Sequence, residues 1–225
     1  MAGIQQGRGL DIVPSLTLRR DKIYGTSPQS GIEENFEPSL DVFYKVTPSL
    51  NASLTVNTDF SAAEVDDRQV NLTRFSLFFP EKRDFFLRDS DIFDFGQIAN
   101  YGFDNNYGTG FGAIPNASQQ NARPFFSRTI GLSANGEPVD LNVGGKLSGR
   151  IGNFNVGSLL ISQAEDISTG VDSTDIFVGR AVMNVLSESQ VGVIMTDGDP
   201  QSNLDSTLYG ADFRYRNSQL PNNKS

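Results

Sequence analysis

"FEPSLDVFYKVTPSLNASLTVNTDF", Phe36 to Phe60, alternates, turns, and alternates again. Phe36, Leu40, Val42, Tyr44 and Val46 are interleaved with Glu37, Ser39, Asp41 and Lys45. After "VTPS", Leu50, Ala52, Leu54, Val56 and Phe60 are interleaved with Asn51, Ser53, Thr55, Asn57 and Asp59. A period of two sends successive side chains to opposite faces of an extended chain, so each run predicts a strand with one apolar and one polar face. The short turn between them makes the pair an antiparallel hairpin.

The same pattern spreads in both directions. Upstream, Leu10, Ile12, Leu16 and Leu18 alternate with Asp11, Ser15, Thr17 and Arg19. Downstream, a fourth strand is expected over about 67–78, after the loop "AAEVDD". "PFFSRTIGLS" and "VDLNVGGKLSG" read as a hairpin around "ANGEP", whose Asn-Gly is a favoured turn pair. "FNVGSLLISQ" (alternating less cleanly), "DIFVGRAVMNVL" and "QVGVIMTD" follow, and in the last run Tyr209, Ala211, Phe213 and Tyr215 oppose Gly210, Asp212, Arg214 and Arg216. The expectation is an all-β antiparallel meander of about ten strands with no long helix.

Composition narrows the chemistry. With 37% hydrophobic residues and 17 Phe in 225 residues, the chain is too apolar for disorder. It has no Cys and no His, which removes disulfides, thiol nucleophiles, the commonest general base and the usual zinc ligands. A net charge of −9 without a basic run argues against nucleic acid. No cofactor is implied: Gly108, Gly110 and Gly112 do not form a dinucleotide fingerprint.

One stretch breaks the alternation. "SLFFPEKRDFFLRDSDIFDFG", Ser76 to Gly96, sets six phenylalanines around a knot of charge. Pro80 suits a helix start with Glu81 near its positive end, so "PEKRDFFLRD" predicts one or two helical turns. Arg74, Glu81, Lys82, Arg83 and Arg128 are read as a structural charged cluster holding an insert, Glu81 pairing with Arg128 or Arg74, because buried charges are normally paired. Asp84, Asp89, Asp91 and Asp94 could supply an acid/base pair for glycoside hydrolysis, but spacing along a loop does not bring two carboxyls together, and no catalytic residue is assigned. "DSDIFDFG" fails the calcium-loop template because Phe93 occupies a ligand position; Asp197, Asp199, Asn203 and Asp205 in "DGDPQSNLD" offer oxygens for a cation, without a template. Tyr101, Phe103, Tyr107 and Phe111 are candidates for stacking on sugar rings.

Period two fits either a soluble sheet with its apolar face inward or an outer-membrane barrel with that face toward lipid. Strand lengths near those that cross a bilayer, alternation of short turns with long polar loops, and aromatics near strand ends (Phe36, Tyr44, Phe60, Phe213, Tyr215) favour the barrel. "NLTRFSLFFPEKRDFFLRDSDIF" followed by "FFSRTIGL" resembles a bacterial family, the domain of unknown function numbered fifty-nine-sixteen. The resemblance lies in Phe78-Phe79-Pro80-Glu81-Lys82-Arg83, Phe85-Phe86-Leu87, Ser127-Arg128 and Ile130-Gly131; Asp84, Arg88-Asp89 and Thr129 depart from it. It implies a C-terminal outer-membrane barrel, normally preceded by a carbohydrate-binding module of the family-nine type. The chain begins on a strand and ends shortly after one, so it is expected to be the front portion of that barrel, with signal and module upstream. Residues 1–225 are then one β-barrel domain, with 79–123 as a luminal or periplasmic insert, in the bacterial outer membrane. Its expected partners are membrane lipid and a carbohydrate or other small solute. The alternative is a soluble secreted β-rich carbohydrate-binding module or glycoside hydrolase.

Overall fold

A computed structural model describes residues 9–22, 32–58, 81, 83–96, 123–133, 139–167 and 170–216. They form one antiparallel sheet of eight strands in sequential order. The strands are β1 (Leu10–Lys22), β2 (Ile32–Thr47), β3 (Leu50–Thr58), β4 (Leu141–Ile151), β5 (Phe154–Gln163), β6 (Thr174–Val185), β7 (Ser189–Asp197) and β8 (Thr207–Arg214). A short helix, α1 (Asp84–Leu87), and two 3-10 turns, Ser90–Phe93 and Ser127–Thr129, belong to the excursion between β3 and β4. Strands β1 and β8 are the sheet edges, so the sheet is not closed into a barrel.

Register decides the faces. Residues paired across antiparallel strands point the same way. One row runs Leu10, Tyr44, Ala52, Leu147, Ser158, Gly179, Met195, Tyr209 through all eight strands, without a charge. The rows beside it continue the pattern, among them Leu54, Gly145, Leu160 and Phe177. Charged residues in register with this face, Arg20, Asp175 and Asp197, lie at the end that carries the long connections. The apolar face is bare: Leu18 and Tyr209 are each 74% exposed and Phe213 63%.

The opposite face is covered. Asn51, Ser148, Gly157, Arg180, Ile194 and Gly210 share one of its rows. Phe85, Phe86, Phe93 and Ile130 of the excursion pack there with Leu141, Leu159, Ile161, Ile176, Val178 and Ile194. Burying each such side chain contributes about 1.5–3 kcal/mol, so this cluster is the molecule's core. Two glycines are ring seats: a Cβ at Gly157 would lie 2.9 Å from Cζ of Phe93, and one at Gly210 would lie 3.0 Å from Cζ of Phe95.

Two expectations are corrected. Strand β3 pairs directly with β4, and residues 67–78, where a further strand was expected, lie outside the described residues. "PFFSRTIGLS" is not a strand: Ile130 N–H donates to the Ser127 carbonyl and Leu132 N–H to that of Thr129, and Gly131 turns the chain at φ 74°. Its alternation serves burial in the core, where Ile130 is 1% exposed, rather than ladder pairing. Helix α1 starts after Arg83 rather than at Pro80, because the Glu81 side chain folds back to accept from the Arg83 N–H at 3.0 Å.

Candidate functional site

Three polar anchors fasten the excursion to the covered face. In the first, Arg83 Nε and Nη2 donate to Glu81 Oε1 and Oε2, each at 2.7 Å. The same guanidinium donates to the carbonyls of Ile130 (2.8 Å) and Ser127 (2.7 Å) and lies 4.2 Å from the centre of the Phe86 ring. Ser127 Oγ donates to Glu81 Oε2 at 2.8 Å. Burial alone would push the Glu81 carboxyl up; the hydrogen bonds and charge of Arg83, with Ser127, outweigh it and hold the group below its ordinary value. The arginine described on Glu81 is therefore Arg83, two residues away, and not Arg128, whose charge is felt at Arg83. Arg74 and Lys82 lie outside the described residues, as do Tyr101, Phe103, Tyr107 and Phe111.

The second anchor closes the end of α1. Lys146, on β4, donates to the carbonyls of Phe85 and Arg88, the orphan acceptors that a helix C-terminus leaves. Asp89 then turns the chain in the left-handed region, at φ 53°, and its Oδ2 accepts from Asn51 Nδ2 (3.0 Å) and Ser148 Oγ (2.7 Å). Beside it the Arg88 guanidinium stacks 3.6 Å from the centre of the Phe43 ring.

The third anchor spans three strands. Arg180 on β6 donates through Nη1 and Nη2 to Asp212 on β8, at 2.6 and 2.8 Å. The bridge crosses β7 at Gly192, where a Cβ would lie 2.6 Å from Asp212 Oδ1 and 2.8 Å from either Nη. Asp212 Oδ2 also accepts from the Gly96 N–H at 3.0 Å, tying down the end of the Phe-rich stretch. Between this stretch and β4–β8 lies a polar chamber of about 470 Å³, lined among others by Asp91, Asp94, Arg150, Arg180, Asp212 and Arg214.

The candidate carboxylates are thus mostly engaged in holding structure. Asp89 accepts two side-chain hydrogen bonds, and Asp84 lies 3.7 Å from Arg88. In the cation candidate, Asp199 accepts from Gln201 N–H and Ser202 Oγ, Asp197 from Thr207, and Asn203 bridges Asp172 and Gly170. Among the described residues no group of three or more acidic side chains could hold a metal ion. Sequence reasoning missed Lys146, Ser148, Arg180 and Gly192; their signal was a charged, small or absent side chain at strand positions facing the excursion.

A family model matches residues 10–157, from the start of β1 through the excursion into β5. The chain belongs to the family described as Domain of unknown function (DUF5916). In this DUF5916 chain the match takes in the first two anchors, while Arg180 and Asp212 lie beyond it. No curated protein and no solved structure matches the chain.

Proposed function

We propose that this DUF5916 chain is part of an outer-membrane β-barrel, apolar face to lipid and covered face to an aqueous lumen narrowed by the excursion. Its task is passage or capture of a small solute at the cell envelope, carbohydrate-linked on family resemblance alone. The observation that carries the reading is the exposed apolar band that runs across all eight strands, with the charges of that face kept to the end that carries the long connections. Monomeric soluble proteins rarely leave more than a few hundred Å² of contiguous apolar surface bare, and here every strand contributes to it. The covered face combines the apolar seat of the excursion with paired polar side chains, Lys146, Ser148, Arg180 and Asp212, as expected of a lumen wall carrying a packed insert. No helix among the described residues is long and apolar enough to cross a membrane, which leaves strands as the crossing elements of this reading.

Expressed protein should stay with membranes through an alkaline wash, need detergent for extraction, and migrate differently on gels before and after heating. Ala211, exposed on the apolar face of β8, gives the residue-level test. Ala211→Arg should cost about 2–4 kcal/mol of membrane folding stability if the site lies near the bilayer midplane. Asn155→Arg, on the covered face, should be tolerated. Extraction without detergent, or equal tolerance of both changes, would overturn the reading in favour of a soluble β-domain.

A further inference from the structure

The chamber beneath the Phe-rich stretch separates its charges by wall. Asp91 and Asp94 come from the stretch; Arg150 and Arg214 come from β4 and β8. Most other charges there are spent: Asp89 on Asn51 and Ser148, and Arg180 and Asp212 on each other. The half-buried side chain of Asp94 makes no hydrogen bond or ion pair among the described residues, and the side chain of Arg214 likewise makes none. The two flank the third anchor. Asp94 stands two residues before Gly96, whose N–H is held by Asp212, and Arg214 stands two residues after Asp212 on the same face of β8.

A neutral ligand entering this space would strip water from uncompensated charges of both signs, which is unfavourable. A simple cation or anion would compensate one wall and desolvate the other. A ligand with an ammonium at one end and a carboxylate at the other offsets both costs with charge-assisted hydrogen bonds. We propose that the chamber binds a small zwitterion with the chemistry of an amino acid or short peptide, its ammonium on Asp91 and Asp94 and its carboxylate on Arg214. Burial, joined by the charge of Asp91 and opposed by Arg123 and Arg180, raises the Asp94 carboxyl above its ordinary value. The inference rests on the reading of the covered face as luminal.

Titration calorimetry of the detergent-extracted protein with glycylglycine, N-acetylglycylglycine, glycylglycinamide and sorbitol tests it. Glycylglycine should bind, and each capped form should bind at least about tenfold more weakly, the loss expected for one charge-assisted hydrogen bond. Asp94→Asn should abolish discrimination against the acetylated amine, and Arg214→Gln discrimination against the amide. Asp94→Asn keeps side-chain size and Arg214→Gln shortens an exposed side chain, and heat-dependent gel migration reports the folding of both. Sorbitol binding as tightly as glycylglycine, or discrimination surviving both substitutions, would overturn the proposal. Folded, membrane-extracted protein that binds no glycylglycine overturns the chamber and leaves the barrel reading standing. Water-soluble protein that binds it with the expected discrimination supports the chamber and removes the barrel reading.

Discussion

The bridge from Arg180 to Asp212 invites a quantitative test, because a guanidinium and a carboxylate meet in a bidentate contact beneath the excursion. The Arg180 side chain is 2% exposed, its Nε finds no hydrogen-bond partner, and both Nη atoms rest on Asp212. Asp212→Asn keeps the shape and removes the charge, stranding a buried guanidinium. Breaking a buried pair from one side costs about 3–5 kcal/mol; because Asp212 is 18% exposed, the expected loss lies at the lower end, about 3 kcal/mol. Gly192→Ala should reach a comparable loss by another route, since its new Cβ would stand 2.6 Å from Asp212 Oδ1. Joint replacement, Arg180→Met with Asp212→Leu, should recover most of the stability, because an apolar pair of similar volume needs no desolvation of charge. Denaturant unfolding in detergent or lipid, run as a double-mutant cycle, measures all three. Single variants within about 0.5 kcal/mol of the parent, as for ordinary surface changes, would refute the argument.

The ring seats give a second expectation: Gly157→Val should overpack Phe93 and cost about 1–3 kcal/mol in the same unfolding assay. Phe93→Ala should cost about 3–5 kcal/mol through the cavity left behind. Docking of the excursion should depend on pH through Glu81. Its folded value is depressed, so its contribution is present above the ordinary carboxylate range and lost as pH falls through the folded value. Hydrogen exchange at residues 83–93 should therefore quicken on acidification, and Glu81→Gln should leave exchange fast at every pH. Topology can be read by labelling, since the chain has no Cys. Ser202→Cys, in a long connection, should react with an impermeant thiol reagent on intact cells, and Ser187→Cys, in a short turn, only after the outer membrane is opened.

Alternation made β1, β2 and β3 legible, because a strand with one bare apolar face and one polar face writes its period directly into the sequence. "FNVGSLLISQ" was less clean for a reason visible only in the fold. Leu160 faces outward, while Leu159 and Ile161 face the insert's phenylalanines, so β5 is apolar on both sides. "PFFSRTIGLS" misled in the opposite sense, its apolar residues spaced like a strand's but buried from a 3-10 turn. Glu81 was recognisable as a paired charge. Its contact with Arg83 was not, because a bidentate contact with a residue two positions away depends on the local turn of the backbone and not on spacing.

Pattern and composition alone determined the all-β meander, the two unlike faces, the absence of Cys and His chemistry, and the family, since each is a property of residue order or residue type. The tertiary structure decided which residues meet. The pairing of β3 with β4 sends the excursion between them across the covered face, and there Lys146 reaches the end of α1, Asp89 reaches Asn51 and Ser148, and Arg180 reaches Asp212 over a glycine. Such contacts join residues as many as 61 positions apart in the chain, and their energies depend on distances of a few ångström that no periodicity encodes.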